Sequence, residues 1–169
     1  MKQDNPVIPL ASTYQTKVHL DWVDYNDHMR DSFYSLAFSL AVDRFQEETG
    51  LGAEYRKRER NTVYALEFHN YFLLEVKMFA ELDIQTFVLN SDAKRIHLYQ
   101  KMQSAGALVA ICESMQLHVS QRGTPKAVPF PDTIYRELQS RIVPAEYLAG
   151  LMHRSRKLDI NNKKREQST

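Results

Sequence analysis

With 169 residues, 43% of them hydrophobic and 25% charged, the chain has the size and composition of one globular domain, which excludes wholesale disorder. A net charge of +1 lacks the basic excess of a nucleic-acid binder, and no apolar run approaches the ~20 residues of a membrane span. The single cysteine, Cys112, excludes an internal disulfide framework and a multi-cysteine zinc site, and the five glycines form neither a P-loop nor a GxGxxG.

Residues 1–12 hold Asp4 and two prolines and lack a signal-peptide core, so the expected compartment is the cytoplasm. A first strand is predicted from Tyr14 to Val23. A polar knot follows, Asp24-Tyr25-Asn26-Asp27-His28-Met29-Arg30-Asp31. Beyond it Phe33, Leu36, Ala37, Leu40 and Ala41 fall at helical spacing. Asp31 or Ser32 caps the start of this helix, and Gly50 ends it. Tyr34, Phe38, Val42 and Phe45 add a second apolar face, so the helix is expected to be buried nearly all round.

After a charged stretch, Glu54–Arg60, four strands are predicted: Thr62–Leu74, Met78–Leu89, Arg95–Met102 and Ala107–Val119. The last three alternate apolar and polar residues, which predicts antiparallel strands with one covered face. In the last, Val109, Ile111, Met115, Leu117 and Val119 share a parity that Glu113 interrupts. A buried carboxylate there needs a partner such as Arg30, a histidine or a substrate cation. A sheet-edge position in water explains it equally. Thr124–Pro131, with three prolines, reads as a loop, and Pro131-Asp132 opens a terminal helix to about Arg141. Residues 153–169 hold six basic and two acidic residues and no apolar period. The expected organisation is one domain over 1–150 and a basic, flexible tail over 151–169.

Strand, long helix, four strands and a short helix make an α+β chain. A curved antiparallel sheet of about five strands wrapped round one long buried helix satisfies the burial demand. That is the hot-dog arrangement; a generic α+β sandwich is the other solution the order allows.

The chemistry is concentrated between the first strand and the helix. Asp24, Asp27, His28 and Asp31, with Asn26 and Arg30, crowd eight positions. In extended backbone Asp24, Asn26 and His28 would share a face. A carboxylate serves as general base or nucleophile, and an amide and an imidazole orient water and substrate. The N–H groups of Asp31 and Ser32 at the helix start suit a developing oxyanion. An acidic loop capping a helix accounts for the same residue types without chemistry.

The run Trp22-Val-Asp24-Tyr-Asn26-Asp-His28-Met-Arg30-Asp31-Ser-Phe-Tyr34 resembles the D-x-x-G-H-V-N-N-x-x-Y signature of hot-dog acyl-CoA thioesterases, the 4-hydroxybenzoyl-CoA thioesterase-like family. It is most similar to the WVDYNxHMRDxFY of thioesterases that cleave betainyl-CoA in carnitine breakdown. Leu66–Tyr71, Tyr71–Val76 and Asp92–His97 also resemble that group, so the similarity covers most of residues 15–130. The resemblance implies a hot-dog fold and thioester hydrolysis, with Asp24 at the catalytic carboxylate, His28 at the family's histidine and Tyr34 at its tyrosine. Two positions depart from the pattern. Asp27 stands at the family's glycine and Arg30 at its first asparagine. Hydratases of the same fold place Asp and His five apart with a proline between; here the spacing is four, without proline.

The resemblance further implies a short-chain acyl-CoA substrate with a quaternary ammonium, no cofactor, and pairing of units into a homodimer or homotetramer, with no nucleic-acid or membrane partner. Aromatic faces stabilise such cations. Trp22, Tyr25, Tyr34, Phe68 and Tyr71 are the candidates, with Glu67 as counter-charge, although aromatics on strands also serve as core. Lys94 and Arg95 are candidate contacts to the CoA phosphates, as is the charged run Arg56–Arg60. The six histidines show no HExxH or other metal spacing. A non-catalytic acyl-CoA or small-ligand binding protein of the same fold is the alternative from another class.

Overall fold

The computed structural model describes residues 9–155 together with Leu158 and Ile160. The chain forms β1 (Ser12–Lys17), a 3-10 turn (Leu20–Trp22), α1 (Asp31–Glu48), α2 (Ala53–Glu59) and β2 (Asn61–Phe72). β3 (Glu81–Ser91), β4 (Arg95–Ser104), β5 (Ala107–Ser120) and β6 (Lys126–Ala127) follow. α3 (Asp132–Ser140) and α4 (Ala145–Leu148) come last. The long strands pair antiparallel in the order β1-β3-β4-β5-β2, and β6 adds two residues beside β5. The sheet curls around α1, and this is the expected hot-dog arrangement.

The first strand is shorter than its composition predicts. Val18 still bonds to Ala80 (N–H to O, 3.0 Å), and then the chain turns. The turn buries Trp22 and stacks its indole on Phe33 at 5.5 Å. That burial outweighs continued pairing.

α1 presents Ala37, Phe38, Ala41 and Phe45 to the sheet, all fully buried. Full burial of each phenylalanine contributes about 1.5–3 kcal/mol. Ser32, Ser35, Leu36, Ser39, Asp43 and Arg44 are exposed, so the expected all-round burial is corrected: the sheet covers one face only. The serines at 32, 35 and 39 mark the outer stripe. The helix starts one residue early, with Arg30 in the cap position and no side-chain cap bond. Its end is as expected, where Gly50 takes φ +80, a conformation that costs glycine little.

The sheet is covered on both faces, not one. Ala110 and Cys112 of β5 join Phe38 in the inner core, whereas Ile111 points outward. There it packs with Phe87, Leu89, Tyr99, Val143 and Leu151. Met115 meets Leu158 and Ile160 in the same way. From Ile111 to Met115 the parity expected to face the core therefore faces out, and the C-terminal segment covers it; Val109, at the register shift between Leu108 and Ala110, stays in the inner core. Apolar residues on the outer parity require a cover, and Leu151, Leu158 and Ile160 supply it. Positions 156, 157, 159 and 161–169 of the tail lie outside the described residues. Among the described residues no helix is long and apolar enough to cross a membrane.

Candidate functional site

The polar loop is a tight turn, so the extended backbone in which Asp24, Asn26 and His28 would share a face is not the one adopted. The Asp24 N–H donates to the His28 carbonyl at 2.9 Å, and the Asp27 N–H donates to the Asp24 carbonyl at 3.1 Å. The Asp24 side chain closes the turn. Its Oδ1 accepts the N–H of Asn26 at 2.8 Å and of His28 at 3.2 Å. Oδ2 accepts no hydrogen bond from a described residue. Asp27 sits at φ +60, the left-handed region where aspartate is tolerated better than most residues. That explains how it replaces a glycine.

The Asn26 N–H above all holds the Asp24 carboxyl below its usual 3.8. Desolvation opposes it, and the His28 N–H, the His28 ring and the Arg30 guanidinium assist. Asp24 is thus ionised at neutral pH. Tyr25, 94% exposed, and Asn26 project from the tip into water. Asn26 therefore meets Asp24 through its backbone, not its side chain.

His28 is the joint between this turn and the segment after β2. Its backbone bridges Lys77, Met29 N–H donates to Val76 O at 2.8 Å, and the ring Nδ1 lies 3.2 Å from Glu75 Oε2. Alongside runs a cleft of about 270 Å³ lined by Met29, Asp31, Tyr34, Phe72, Leu73, Leu74 and Glu75. Tyr34 reaches it from the buried side of α1. Its hydroxyl donates to Leu74 O at 3.3 Å and its ring meets Phe72 edge-on at 5.3 Å. Burial, with the Glu75 charge nearby, pushes its phenol pKa up. At the helix start the Ser32 N–H is taken by the Asp31 carboxylate at 2.7 Å. The Asp31 N–H has no partner among the described residues.

The other candidates scatter. Trp22 is buried and stacked on Phe33, so it offers no open face. Glu67 holds His69 at 2.7 Å. Phe68 and Tyr71 are exposed on β2, and Tyr71 lies against His153 at 5.3 Å. Lys94 and Arg95 stand at the far end of the sheet. Lys94 O accepts the His118 N–H, whereas Phe72 at the cleft pairs with Ala110. Those β5 positions are eight residues apart, about 26 Å. Arg95 is also engaged by Asp92 at 2.7 Å and by the Ile160 carbonyl. One chain alone therefore does not bring these two bases to the cleft. Among the described residues no group of His, Cys, Asp and Glu is placed to hold a metal ion. A larger cleft of about 340 Å³ between the end of α1, α2 and α3 contains Arg58 of the charged run and none of the other candidates.

The sequence reading missed Glu75, Phe72 and Leu74 as site residues. The available signal was a glutamate ending the apolar run Tyr71-Phe72-Leu73-Leu74. Nothing in that run shows that the polar loop folds back onto it.

A family model described as the thioesterase-like superfamily matches residues 18–138. A Pseudomonas aeruginosa betainyl-CoA thioesterase is 37% identical over 133 residues, 78% of this chain and 83% of that protein. A Ruegeria pomeroyi L-carnitine dehydrogenase/betainyl-CoA thioesterase is 34% identical over 83% of this chain, which spans only 28% of that longer protein. Among solved structures, a Staphylococcus aureus protein in complex with CoA superposes with TM-score 0.75 at 27% identity, covering 82% of this chain and 87% of its own. A Pseudomonas putida protein described as a candidate thioesterase gives 0.70 at 34% identity, covering 90% and 97%. The chain is a thioester hydrolase of hot-dog fold and belongs to the thioesterase-like superfamily.

Proposed function

We propose that this acyl-CoA thioesterase hydrolyses betainyl-CoA to glycine betaine and CoA. The observation that carries the acyl specificity is the lining of the cleft beside the Asp24 loop. It presents the rings of Tyr34 and Phe72 and the carboxylates of Asp31 and Glu75, with no Lys or Arg among its lining residues. Aromatic faces and carboxylates favour a quaternary ammonium, and they take over the role first expected of Trp22. The likeness to betainyl-CoA thioesterases supports the same reading. Asp24 Oδ2 acts as general base toward water, His28 helps to hold that water, and the Asp31 N–H faces the developing oxyanion. Water adds to the thioester carbon, the C–S bond breaks, and the proton taken by Asp24 passes to the leaving thiolate.

The test compares betainyl-CoA with 3,3-dimethylbutanoyl-CoA, its neutral carbon isostere. The expected preference in kcat/KM is about tenfold or more, equivalent to about 1.4 kcal/mol, within the range of one or two cation–π contacts. Equal turnover of the two removes the cationic specificity and keeps the thioesterase.

The working unit in this reading is a homodimer in the cytoplasm, with residues 1–150 as one thioesterase domain. β2 is an edge strand of 12 residues, and Tyr64, Leu66, Phe68, Tyr71 and Phe72 on it are exposed. A long apolar edge invites another strand. Antiparallel pairing of two copies about the middle of β2 places each partner's Asn61 end near this chain's cleft. That end carries Arg58, Arg60 and Arg122, with Arg58 and Arg122 paired to Glu59, and pairing brings these bases, not Lys94 and Arg95, within reach of the CoA phosphates. Phe68→Asp should shift sedimentation from dimer to monomer and abolish most turnover. A variant that stays dimeric contradicts this edge as the interface.

A further inference from the structure

We infer that Glu75 is a positioning residue for His28, fixing the tautomer and aim of its ring so that Nε2 accepts a hydrogen bond from the attacking water. The inference rests on the role proposed for His28 in hydrolysis.

The backbone of His28 is held on three sides. Its N–H donates to Asp24 Oδ1, its carbonyl accepts the Asp24 N–H, and its strand-like bridge to Lys77 ties it to the segment after β2. What remains free is the ring: its torsions and the choice of which nitrogen carries the proton. Glu75 settles both. Its Oε2 lies 3.2 Å from Nδ1, and an ionised carboxylate only accepts hydrogen bonds. Nδ1 is therefore the protonated nitrogen, and a neutral ring presents the lone pair of Nε2 away from Glu75.

Position separates this pair from an ordinary surface ion pair. The Glu75 side chain is 68% exposed, so the contact adds little to stability. Yet Glu75 lines the cleft together with Asp31 and Tyr34, and its partner hydrogen-bonds the very residue, Asp24, whose Oδ2 is free. A water between Asp24 Oδ2 and His28 Nε2 would give one proton to each acceptor and direct its lone pair at the thioester carbon. Without Glu75, the ring is free to protonate Nε2 instead. It then offers the water a donor where an acceptor is needed.

The test uses Glu75→Ala and Glu75→Gln in the full chain, read in two independent ways. The first is the 15N NMR spectrum of the His28 ring, which reports the tautomer without any substrate. The second is steady-state kinetics on 3,3-dimethylbutanoyl-CoA, a neutral substrate for which the Glu75 charge offers no direct attraction. Wild type should show Nδ1 protonated when the ring is neutral, and E75A a mixture of tautomers. E75A should lower kcat about tenfold with KM within about twofold. E75Q, whose amide oxygen still accepts from Nδ1, should recover most of kcat. On a His28→Gln background E75A should change nothing further, because the two residues act as one unit. An unchanged tautomer in E75A, or a loss that adds fully to that of H28Q, overturns the inference. Full activity of H28Q is a different result. It removes the role of His28 itself and leaves the tautomer measurement standing as a structural fact.

Discussion

Asp24→Asn is expected to lower kcat/KM for acyl-CoA hydrolysis by at least about 10²-fold, the usual loss when a positioned general base is removed, while leaving the fold intact. The choice of asparagine follows from the turn. Asp24 Oδ1 accepts the N–H groups of Asn26 and His28, and an amide oxygen keeps both bonds. Only the second oxygen changes, from a free base to an NH₂ that takes no proton. Asp24→Ala removes the turn as well as the base and does not separate the two.

The acid side of the pH profile follows from the same geometry. The Asn26 N–H and the other donors lower the Asp24 pKa below 3.8. The working form is the carboxylate, so activity persists as pH falls through the ordinary aspartate range and is lost only as pH passes below it. An acid limb in the imidazole range that vanishes in H28Q would assign the base to His28 instead. Full activity of D24N would remove Asp24 from the mechanism.

Arg154→Ala is expected to destabilise the protein by about 3 kcal/mol, or about 6–12 °C in Tm for a chain of this length. The reason lies on the outer face of the sheet. Glu113 is fully buried on β5. Its Oε1 meets His97 Nε2 at 2.7 Å and Arg154 at 3.3 Å, and its Oε2 accepts the Ser155 N–H. Burial by itself would raise this carboxyl. The bonds to His97 and Ser155 and the Arg154 charge outweigh it, and the net direction is down. Its contribution to stability is therefore present above its unfolded value near 4.5 and lost as pH falls through the lower native value.

Two of the three groups at Glu113 belong to the C-terminal segment, so the carboxylate fastens that segment over Tyr99, Ile111 and Met115. Removal of Arg154 leaves a buried charge with only part of its compensation and loosens the cover. Thermal melts of wild type and R154A across acid and neutral pH check this. The gap between the two should narrow as pH falls through the native Glu113 value. Identical Tm values at neutral pH would show that the ion pair does not hold the segment.

Most of the architecture was legible from local pattern. The helical spacing from Phe33 and the alternation in three strands are local signals, and the structure follows them. The errors arose where distant segments meet. The parity of β5 was read as core-facing because its apolar residues need a cover. The cover is the C-terminal segment, and a run rich in Lys and Arg gave no sign of docking. Glu113 showed that it needed a partner but not which; histidine was among the candidates, Arg154 was not.

The site divides in the same way. Asp24, His28 and Tyr34 were legible because they stand close together in sequence at a strand-to-helix junction. Glu75 and Phe72 were not, because the Met29–Val76 bond joins residues 47 apart. A shared face for Asp24, Asn26 and His28 required extended backbone, and the turn with left-handed Asp27 instead joins Asp24 to the other two through their N–H groups. Aromatic content alone did not distinguish Trp22, which builds the core, from Phe72, which lines the cleft.

The most direct test of the account is the release of thiol and free glycine betaine from betainyl-CoA by the purified wild-type chain. Stoichiometric release of both products, lost in D24N and more efficient than release from the neutral isostere, is the predicted result. Binding of betainyl-CoA and other acyl-CoAs without turnover of any would contradict it and identify the protein as an acyl-CoA binder built on a thioesterase fold.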